Sequence, residues 1–215
     1  MKLSSNSFTE GQNIPGDFSF CQPDPTHHVC LGKNMNPHLA WSEVPEKTQS
    51  FALICHDPDV PSRGDDVNQE GRSVPASLPR IEFFHWTLID LPADLREIRA
   101  GEFSKEVTPR GKAGPAALHG ARQGLNDYTT WFASDHDMRG DYFGYDGPCP
   151  PWNDEIVHHY IFTLYALDVE RLPIEGKFTG AQARAALHGH ILAQARLTGL
   201  YTLNPQVAAL SHPSA

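Results

Sequence analysis

Positive charge and long apolar runs are scarce in this 215-residue chain. Lys and Arg total 17 against 26 Asp and Glu, which gives a formal net charge of −9 at pH 7. Nucleic acids and anionic membrane surfaces are bound through basic faces, so this balance argues against both as partners. No apolar run of about 18 residues is present, which argues against membrane insertion. The N-terminal segment also lacks the apolar core of a signal peptide, so we expect a cytoplasmic protein.

Cysteine is scarce as well. The chain has only Cys21, Cys30, Cys55 and Cys149. Their number and spacing fit neither a disulfide framework nor a CxxC metal site. The simplest interpretation is that all four are reduced, and a Cys21–Cys30 bridge stays open as an alternative. We expect no cofactor.

Several catalytic motifs are missing. Without a G-x-S-x-G elbow or a G-x-x-x-x-G-K-[ST] loop, a serine hydrolase and a P-loop nucleotide site are excluded. Two enzymatic alternatives stay open. His85, His158 and Asp57 are suitable zinc ligands, although neither H-E-x-x-H nor CxxC spacing supports a metal site. Cys149 is a possible nucleophile with His158 as its base.

The chain is rich in turn-forming residues and in short apolar segments. Its 18 prolines and 17 glycines indicate many turns and strands rather than long helices. Phe51–Cys55 is a short apolar run, which predicts a buried strand. Pro58 cannot donate to a sheet ladder, so we expect pairing to stop at His56 or Asp57.

Two further segments predict longer strands. Ile81–Leu91 is apolar on both faces, as in a central strand, and alternation places His85 and Trp86 on opposite faces. Ile156–Asp168 also alternates, and it places His158 and Tyr160 on a shared face. His159, by the same alternation, faces the other way.

Helices are expected only at the periphery. Thr179 and Gln182 form a capping box that begins a predicted helix over residues 179–195, which Gly199 ends. The pattern as a whole predicts a mainly β fold, a β-sandwich with peripheral helices. We expect one domain over residues 1–215, with a long loop at 62–80. The acidic, aromatic segment 127–146 is expected to cover core edges or, alternatively, to form a pocket wall.

The candidate site residues are Asp57, Asp59, His85, His158 and Tyr160. A carboxylate at a strand end fixes the tautomer of a neighbouring imidazole through a charge-assisted hydrogen bond. We expect Asp57 to orient His85 in this way. The two imidazoles and the tyrosine hydroxyl would then donate to one small oxyanion.

A turn at Gly147 and Pro148 is the expected backbone contribution to this site. Glycine allows close approach of the main chain to a ligand, and turn amides are good anion donors.

Five segments together resemble the phosphatidylethanolamine-binding protein family, in its bacterial Raf-kinase-inhibitor-like branch. The first family motif resembles DPDVPSR (57–63) followed by FFHW (83–86), and the second resembles GPCPPWNDEIVHHYIFTLYALD (147–168). NMNPHLAW (34–41) and TGLYTLNP (198–205) are similar to the same branch. The resemblance therefore spans nearly the whole chain.

The resemblance implies an antiparallel β-sandwich with a C-terminal helix and a small pocket for a phosphate or similar anionic head group. Members are in most cases binding or regulatory proteins rather than enzymes. A cis bond inside the first motif implies a cis Val60–Pro61 bond. By matching motif positions, the pocket would be formed by Asp57, Asp59, Pro61, Phe83, His85, His158 and Tyr160, with backbone at Gly147 and Pro148.

Two departures from the family pattern limit what is carried over. Phe83 stands where many members have Trp, and residues 64–80 lengthen the link between the two halves of the first motif. That link is a candidate lid, partner surface or homodimer contact. No helix is indicated beyond Pro205, so Raf inhibition is not carried over. An interaction protein with a vestigial pocket stays open as an alternative, with no protein partner indicated.

Overall fold

The computed structural model describes residues 1–211, with side chains described through residue 208. Short 3-10 turns occur at Gly16–Phe18 and Leu118–Gly120. The strands are β1 Lys2–Ser4, β2 Gln12–Asn13, β3 Cys21–Asp24, β4 His28–Leu31, β5 Leu39–Ser42, β6 Ser50–Pro61, β7 Arg80–Pro92, β8 Glu97–Ile98, β9 Arg122–Gln123, β10 His158–Leu167 and β11 Ile191–Tyr201. The α-helices are α1 Tyr128–Trp131, α2 Gly180–Ala186 and α3 Pro205–Ser211.

A six-stranded sheet organises the chain in the order β2-β11-β10-β6-β7-β9. Its pairs are antiparallel except β2 with β11, which are parallel. A second sheet, β1-β5-β8, and the hairpin β3-β4 complete the β-structure. The prediction of a mainly β, antiparallel sandwich-type fold with peripheral helices is confirmed. Within residues 1–211, no helix has the length and apolar character needed to cross a membrane.

Each face of the large sheet supports its own hydrophobic cluster, as the alternation of β10 requires. Phe162 and Leu164 join the cluster that the second sheet covers through Trp41. Tyr165 lies on the opposite face, in the cluster that α2 covers through Ala183. Burying an apolar side chain of this size contributes about 1.5–3 kcal/mol. The faces predicted for this strand are therefore correct.

Strand β6 is longer than predicted. Pairing with β7 continues through Val60 opposite Ile81 and Pro61 opposite Arg80, after an irregularity at Pro58 and Asp59. A bulge frees a residue from the ladder, which lets a strand accommodate proline without losing a hydrogen bond. The expectation that pairing stops before Pro58 is therefore wrong.

A second bulge, at His85 in β7, breaks the predicted alternation. Trp86 pairs with Cys55, and Phe84 pairs with His56, so His85 has no opposite residue on β6. His85 packs on Tyr160, and Trp86 belongs to the same hydrophobic cluster. The extra residue brings two successive side chains to one face, because a bulge resets the period of a strand. The expectation that His85 and Trp86 face opposite sides is wrong.

The predicted helix over 179–195 is too long. Its capping box at Thr179 is present, but the helix ends at Ala186. Gly189 adopts a φ of 84°, and the chain then pairs with β10 as strand β11 from Ile191. Gly199 lies inside this strand and is no helix stop. The short helix α3 follows, although the sequence did not indicate a helix beyond Pro205.

Cys21 and Cys149 form a disulfide, so the expectation that all four cysteines are reduced is wrong. The amide of Cys21 donates to the carbonyl of Pro148, which places the two sulfur atoms side by side. Cys30 pairs with Gln22 rather than with Cys21, so its side chain lies on the other face of the hairpin. The alternative Cys21–Cys30 bridge is therefore wrong as well.

The predicted cis bond is also corrected. Among the described residues, the cis peptide bond lies at Gly114–Pro115 and not at Val60–Pro61. Val60 and Pro61 both continue the extended strand β6.

Candidate functional site

A cavity of about 510 Å³ opens at the ends of β6, β7 and β10. Its floor is polar and its walls are mostly apolar, as in many small-molecule sites. The lining residues come from seven segments: Phe20, Cys21, Leu31, Asp57, Val60, Pro61, Ser62, Arg63, Gly64, Val67, Asn68, Phe83, His85, Tyr128, Trp131, Phe132, Met138, Cys149, Pro150, Pro151, His158 and Tyr160.

Most of the site residues expected from the sequence meet in this cavity. Those that line it are Asp57, Pro61, Phe83, His85, His158 and Tyr160. The three distant segments therefore converge as the motif spacing predicts. Whether these side chains bind a ligand stays a prediction.

Asp59, Gly147 and Pro148 are not among the lining residues. The Asp59 carboxylate turns to the outer face and accepts from the backbone amide and Nδ1 of His159, at 2.9 and 2.7 Å. The Gly147 amide donates to Oδ1 of Asn34 at 2.8 Å, so the expected backbone donor is already bonded inside the protein. The Pro148 carbonyl likewise accepts from two amides of the first hairpin segment.

A chain of charged groups begins at the cavity floor and continues into the protein. His158 donates from Nδ1 to Asp57 at 2.7 Å and from Nε2 to Asp154 at 3.1 Å. Asp154 in turn receives two hydrogen bonds from Arg80, at 2.6 and 3.0 Å. The four groups alternate in sign, which lets buried charges compensate one another.

His158 is held in its charged form by this arrangement. Burial alone would lower its pKa, but the hydrogen bonds to Asp154 and Asp57 outweigh burial and raise the pKa to about 9. Both ring nitrogens are occupied by carboxylates, so the ring has neither a free donor nor a lone pair to offer a ligand or a metal. Asp57 therefore orients His158, and the expectation that it orients His85 is wrong.

His85 has a different partner and the opposite charge state. Its Nδ1 donates to the backbone carbonyl of Asp146 at 2.7 Å. Burial lowers its pKa to about 4, and the nearby charge of Asp57 does not overcome that effect. The ring is consequently neutral at pH 7. It packs against Tyr160 and Phe83, with ring centroids 5.1 and 4.8 Å away.

Asp146 fixes this geometry and was not identified from the sequence. Its fully buried carboxylate accepts from Lys112 and Asn34 at 2.7 Å each and from Asn126 at 2.8 Å. Burial raises the pKa of Asp146, and Lys112 offsets part of that effect. Its backbone amide also donates to the His85 carbonyl at 3.1 Å. The sequence signal that could have identified Asp146 was its position directly before the second motif.

The apolar wall comes from the segment that was expected either to cover core edges or to form a pocket wall. Tyr128, Trp131 and Phe132 belong to or follow α1, and all three line the cavity. Trp131 is 52% exposed, and Leu31 of the hairpin β3-β4 is 63% exposed. These two side chains therefore form an apolar rim at the mouth.

The long link between β6 and β7 forms the remaining side of the mouth. Arg63, Val67 and Asn68 line the cavity from this link. Asn153 holds the link in place: its Nδ2 donates to the carbonyls of Asp66 and Arg72, and its Oδ1 accepts from the Asn68 amide at 2.9 Å. Asn153 lies inside the second motif, but nothing in the sequence indicated this anchoring role.

The fold and the cavity together define a β-sandwich protein with an open, mostly apolar cavity and a buried ion-pair chain at its floor. The family model described as phosphatidylethanolamine-binding protein matches residues 4–202, and the chain belongs to this family. It is 31% identical to the UPF0098 protein YbhB of Escherichia coli over 202 residues, which cover 94% of this chain and 100% of YbhB. Among solved structures, Escherichia coli YbcL superposes with a TM-score of 0.65 at 27% identity, covering 94% and 97% of the two chains. CT736 from Chlamydia trachomatis, described as a putative family homolog, gives 0.62 at 30% identity, covering 93% and 95%.

Proposed function

We propose that the cavity binds a small phosphorylated or carboxylated ligand and that the protein is a binding or regulatory protein rather than an enzyme. The observation that carries this proposal is the convergence of His85 and Tyr160 on one floor, beside the charged His158. Polar atoms of both side chains can pair with a head group that offers a proton. The family is named for phosphatidylethanolamine, whose head group carries a phosphate together with an ammonium that can donate a proton, and this supports a phosphorylated ligand.

Charge at the mouth supports an anionic ligand. Arg63 lines the cavity, and its side chain is 70% exposed. Its Nε lies 3.6 Å from an oxygen of Asp65, a long ion pair at the surface that contributes little to stability. The guanidinium is therefore free to turn toward an anion and bind it in a bidentate manner.

Titration by NMR at pH 6 with phenyl phosphate tests this proposal. We expect saturable shifts of the signals of His85 and Tyr160. His85→Ala removes a floor group and should weaken binding about tenfold or more. His159→Ala is the matched control, because this neighbouring imidazole lies on the outer face and should leave the affinity unchanged. Absence of saturable shifts up to millimolar ligand would reject the proposal.

The Cys149 nucleophile loses support as an alternative, because its sulfur is bonded to Cys21 and is no free thiol. A protein partner and a homodimer stay predictions, as does an interaction protein with a vestigial pocket. A cytoplasmic location also stays a prediction. The disulfide argues against it, since disulfides persist mainly in oxidising compartments.

A further inference from the structure

His85 presents a hydrogen-bond acceptor to the cavity. A neutral imidazole carries its proton on one nitrogen only, and in His85 that proton lies on Nδ1, which donates to the Asp146 carbonyl. Nε2 therefore carries a lone pair. This atom makes no hydrogen bond to the described part of the chain and is not sealed from the cavity. A ligand that meets Nε2 must offer a proton.

The group beside His85 is also an acceptor. The Asp57 carboxylate lines the cavity, with Oδ1 accepting from the Asp59 amide and Oδ2 from His158, both at 2.7 Å. His158 is charged, but it has no donor left for a ligand. The Tyr160 hydroxyl donates to Asp57 as well, so the floor offers a ligand acceptors rather than donors. An anion that only accepts hydrogen bonds would face the lone pair of His85 unpaired, which is costly at a buried site.

From this geometry we propose that His85 determines specificity by selecting ligands whose anionic head carries a proton to donate. Monoanionic phosphate monoesters have a P–OH group and meet this requirement. Sulfate esters have no such proton, and carboxylates lack one near pH 7. This inference rests on the proposed function and adds to it the protonation state of the head group. No bond is made or broken; one P–OH···Nε2 hydrogen bond forms.

The acceptor state of His85 holds across the physiological pH range. Burial keeps its pKa at about 4, so the ring is neutral from pH 5 to 8. The charge of Asp57 favours protonation of His85, whereas the charges of His158 and His56 oppose it. The titratable and charged groups around the ring are Asp57 and His56 on β6, His158 and Tyr160 on β10, Tyr128 on α1, and Asp146 with its partner Lys112.

Methyl phosphate and methyl sulfate are a matched pair of probes. At pH 5 both are monoanions of nearly the same size, and they differ in a single hydroxyl. We expect methyl phosphate to bind at least about tenfold more tightly at pH 5, because only it pairs with Nε2. Its affinity should fall about tenfold per pH unit above its second pKa of about 6, as the monoanion is lost. Methyl sulfate should bind weakly at every pH from 5 to 8.

Two variants separate selection from general binding. His85→Gln carries both a donor and an acceptor, so the affinity ratio of the two probes should fall toward one. Arg63→Gln removes a cation at the mouth that serves either anion, so both affinities should fall while the ratio is kept. Equal affinities in the unmodified protein, or tighter binding of methyl sulfate, would overturn the inference.

Three outcomes distinguish the ligand class from the role of His85. Saturable binding of methylammonium in place of both anions would assign the acceptors to a cationic head group and would also overturn the inference. If neither anion bound between pH 5 and 8, the proposed function itself would be rejected. Binding of both anions without discrimination would leave the proposed function standing and remove only the role of His85.

Discussion

His158 and Asp57, which are 101 positions apart in the chain, are joined by a 2.7 Å hydrogen bond with both side chains buried. The bond joins β10 to β6 at the point where both strands reach the cavity. It also fixes which group is charged. His158 is held as a cation by its two carboxylates, while His85 remains neutral. The site thus has two imidazoles in opposite protonation states, and the charge of Asp57 acts on both.

The first prediction concerns stability at alkaline pH. The pKa of His158 is about 9 in the folded protein against 6.5 for the free side chain. A raised pKa stabilises the fold fully below about pH 6.5, and this contribution is lost as the pH rises through about 9. The difference corresponds to about 3 kcal/mol of unfolding free energy. Urea unfolding between pH 6 and 9.5 measures it.

A matched variant separates this effect from other titrations. His158→Gln has no ionisable group at this position, so its unfolding free energy should vary less over the same pH range. If both proteins lost the same free energy between pH 6 and 9.5, the charged state assigned to His158 would be wrong.

The second prediction concerns the disulfide. Alkylation of the denatured, unreduced protein should modify two thiols, Cys30 and Cys55, and reduction should add two more. Because the Cys21–Cys149 link closes a loop across 128 positions, its reduction should lower the unfolding free energy by about 2–4 kcal/mol. Mass spectrometry and urea unfolding check the two parts. Four reactive thiols before reduction would contradict the assignment.

The third prediction concerns Asn153 as the anchor of the link between β6 and β7. Asn153→Ala removes hydrogen bonds to three carbonyls and one amide of the link, at Asp66, Gln69, Arg72 and Asn68. Amide hydrogen exchange over residues 65–73 should accelerate, because the backbone of the link loses its main support. Ligand affinity should fall as well, since this link lines the mouth.

The control for this change is Asn6→Ala, at an exposed position far from the link in sequence. It should leave the exchange of residues 65–73 unaltered. Unchanged exchange in Asn153→Ala would show that the link is held by other contacts.

The fourth prediction concerns the close packing at Gly199. A Cβ at this position would lie 2.4 Å from Cγ1 of Ile14, and that distance forces the core to shift. Gly199→Ala should therefore destabilise the protein by about 1–3 kcal/mol. Gly64→Ala is the control, because its Cβ would meet nothing within 4 Å. Equal thermal unfolding of the two variants would contradict the packing of β11 on Ile14.

The local sequence pattern was sufficient to predict much of the fold. Alternation over residues 156–168 correctly separated His158 from His159, because side chains of a regular strand change face at every residue. The capping box at Thr179 correctly marked the start of α2. The same reasoning failed at His85, where a bulge interrupts the period and no local feature of FFHW signals it.

The length of helix α2 could also not be predicted from the local sequence pattern. Apolar residues at helical spacing continue from Ala183 past Ile191, and the same residues serve equally well in an alternating strand. Pairing with β10 decides between the two, because it gives residues 191–201 a ladder of hydrogen bonds along their whole length. The end of α2 is thus set by tertiary structure.

The amino-acid sequence by itself determined the three central strands and the set of polar side chains that gather at their ends. The tertiary structure decided how those side chains pair: Asp57 with His158, His85 with the Asp146 carbonyl, and Cys21 with Cys149. The physical reason is that a hydrogen bond or a disulfide forms only when its atoms lie within a fraction of an ångström of the required positions. Such positions follow from strand register and bulges, and these are set by packing across the whole sheet.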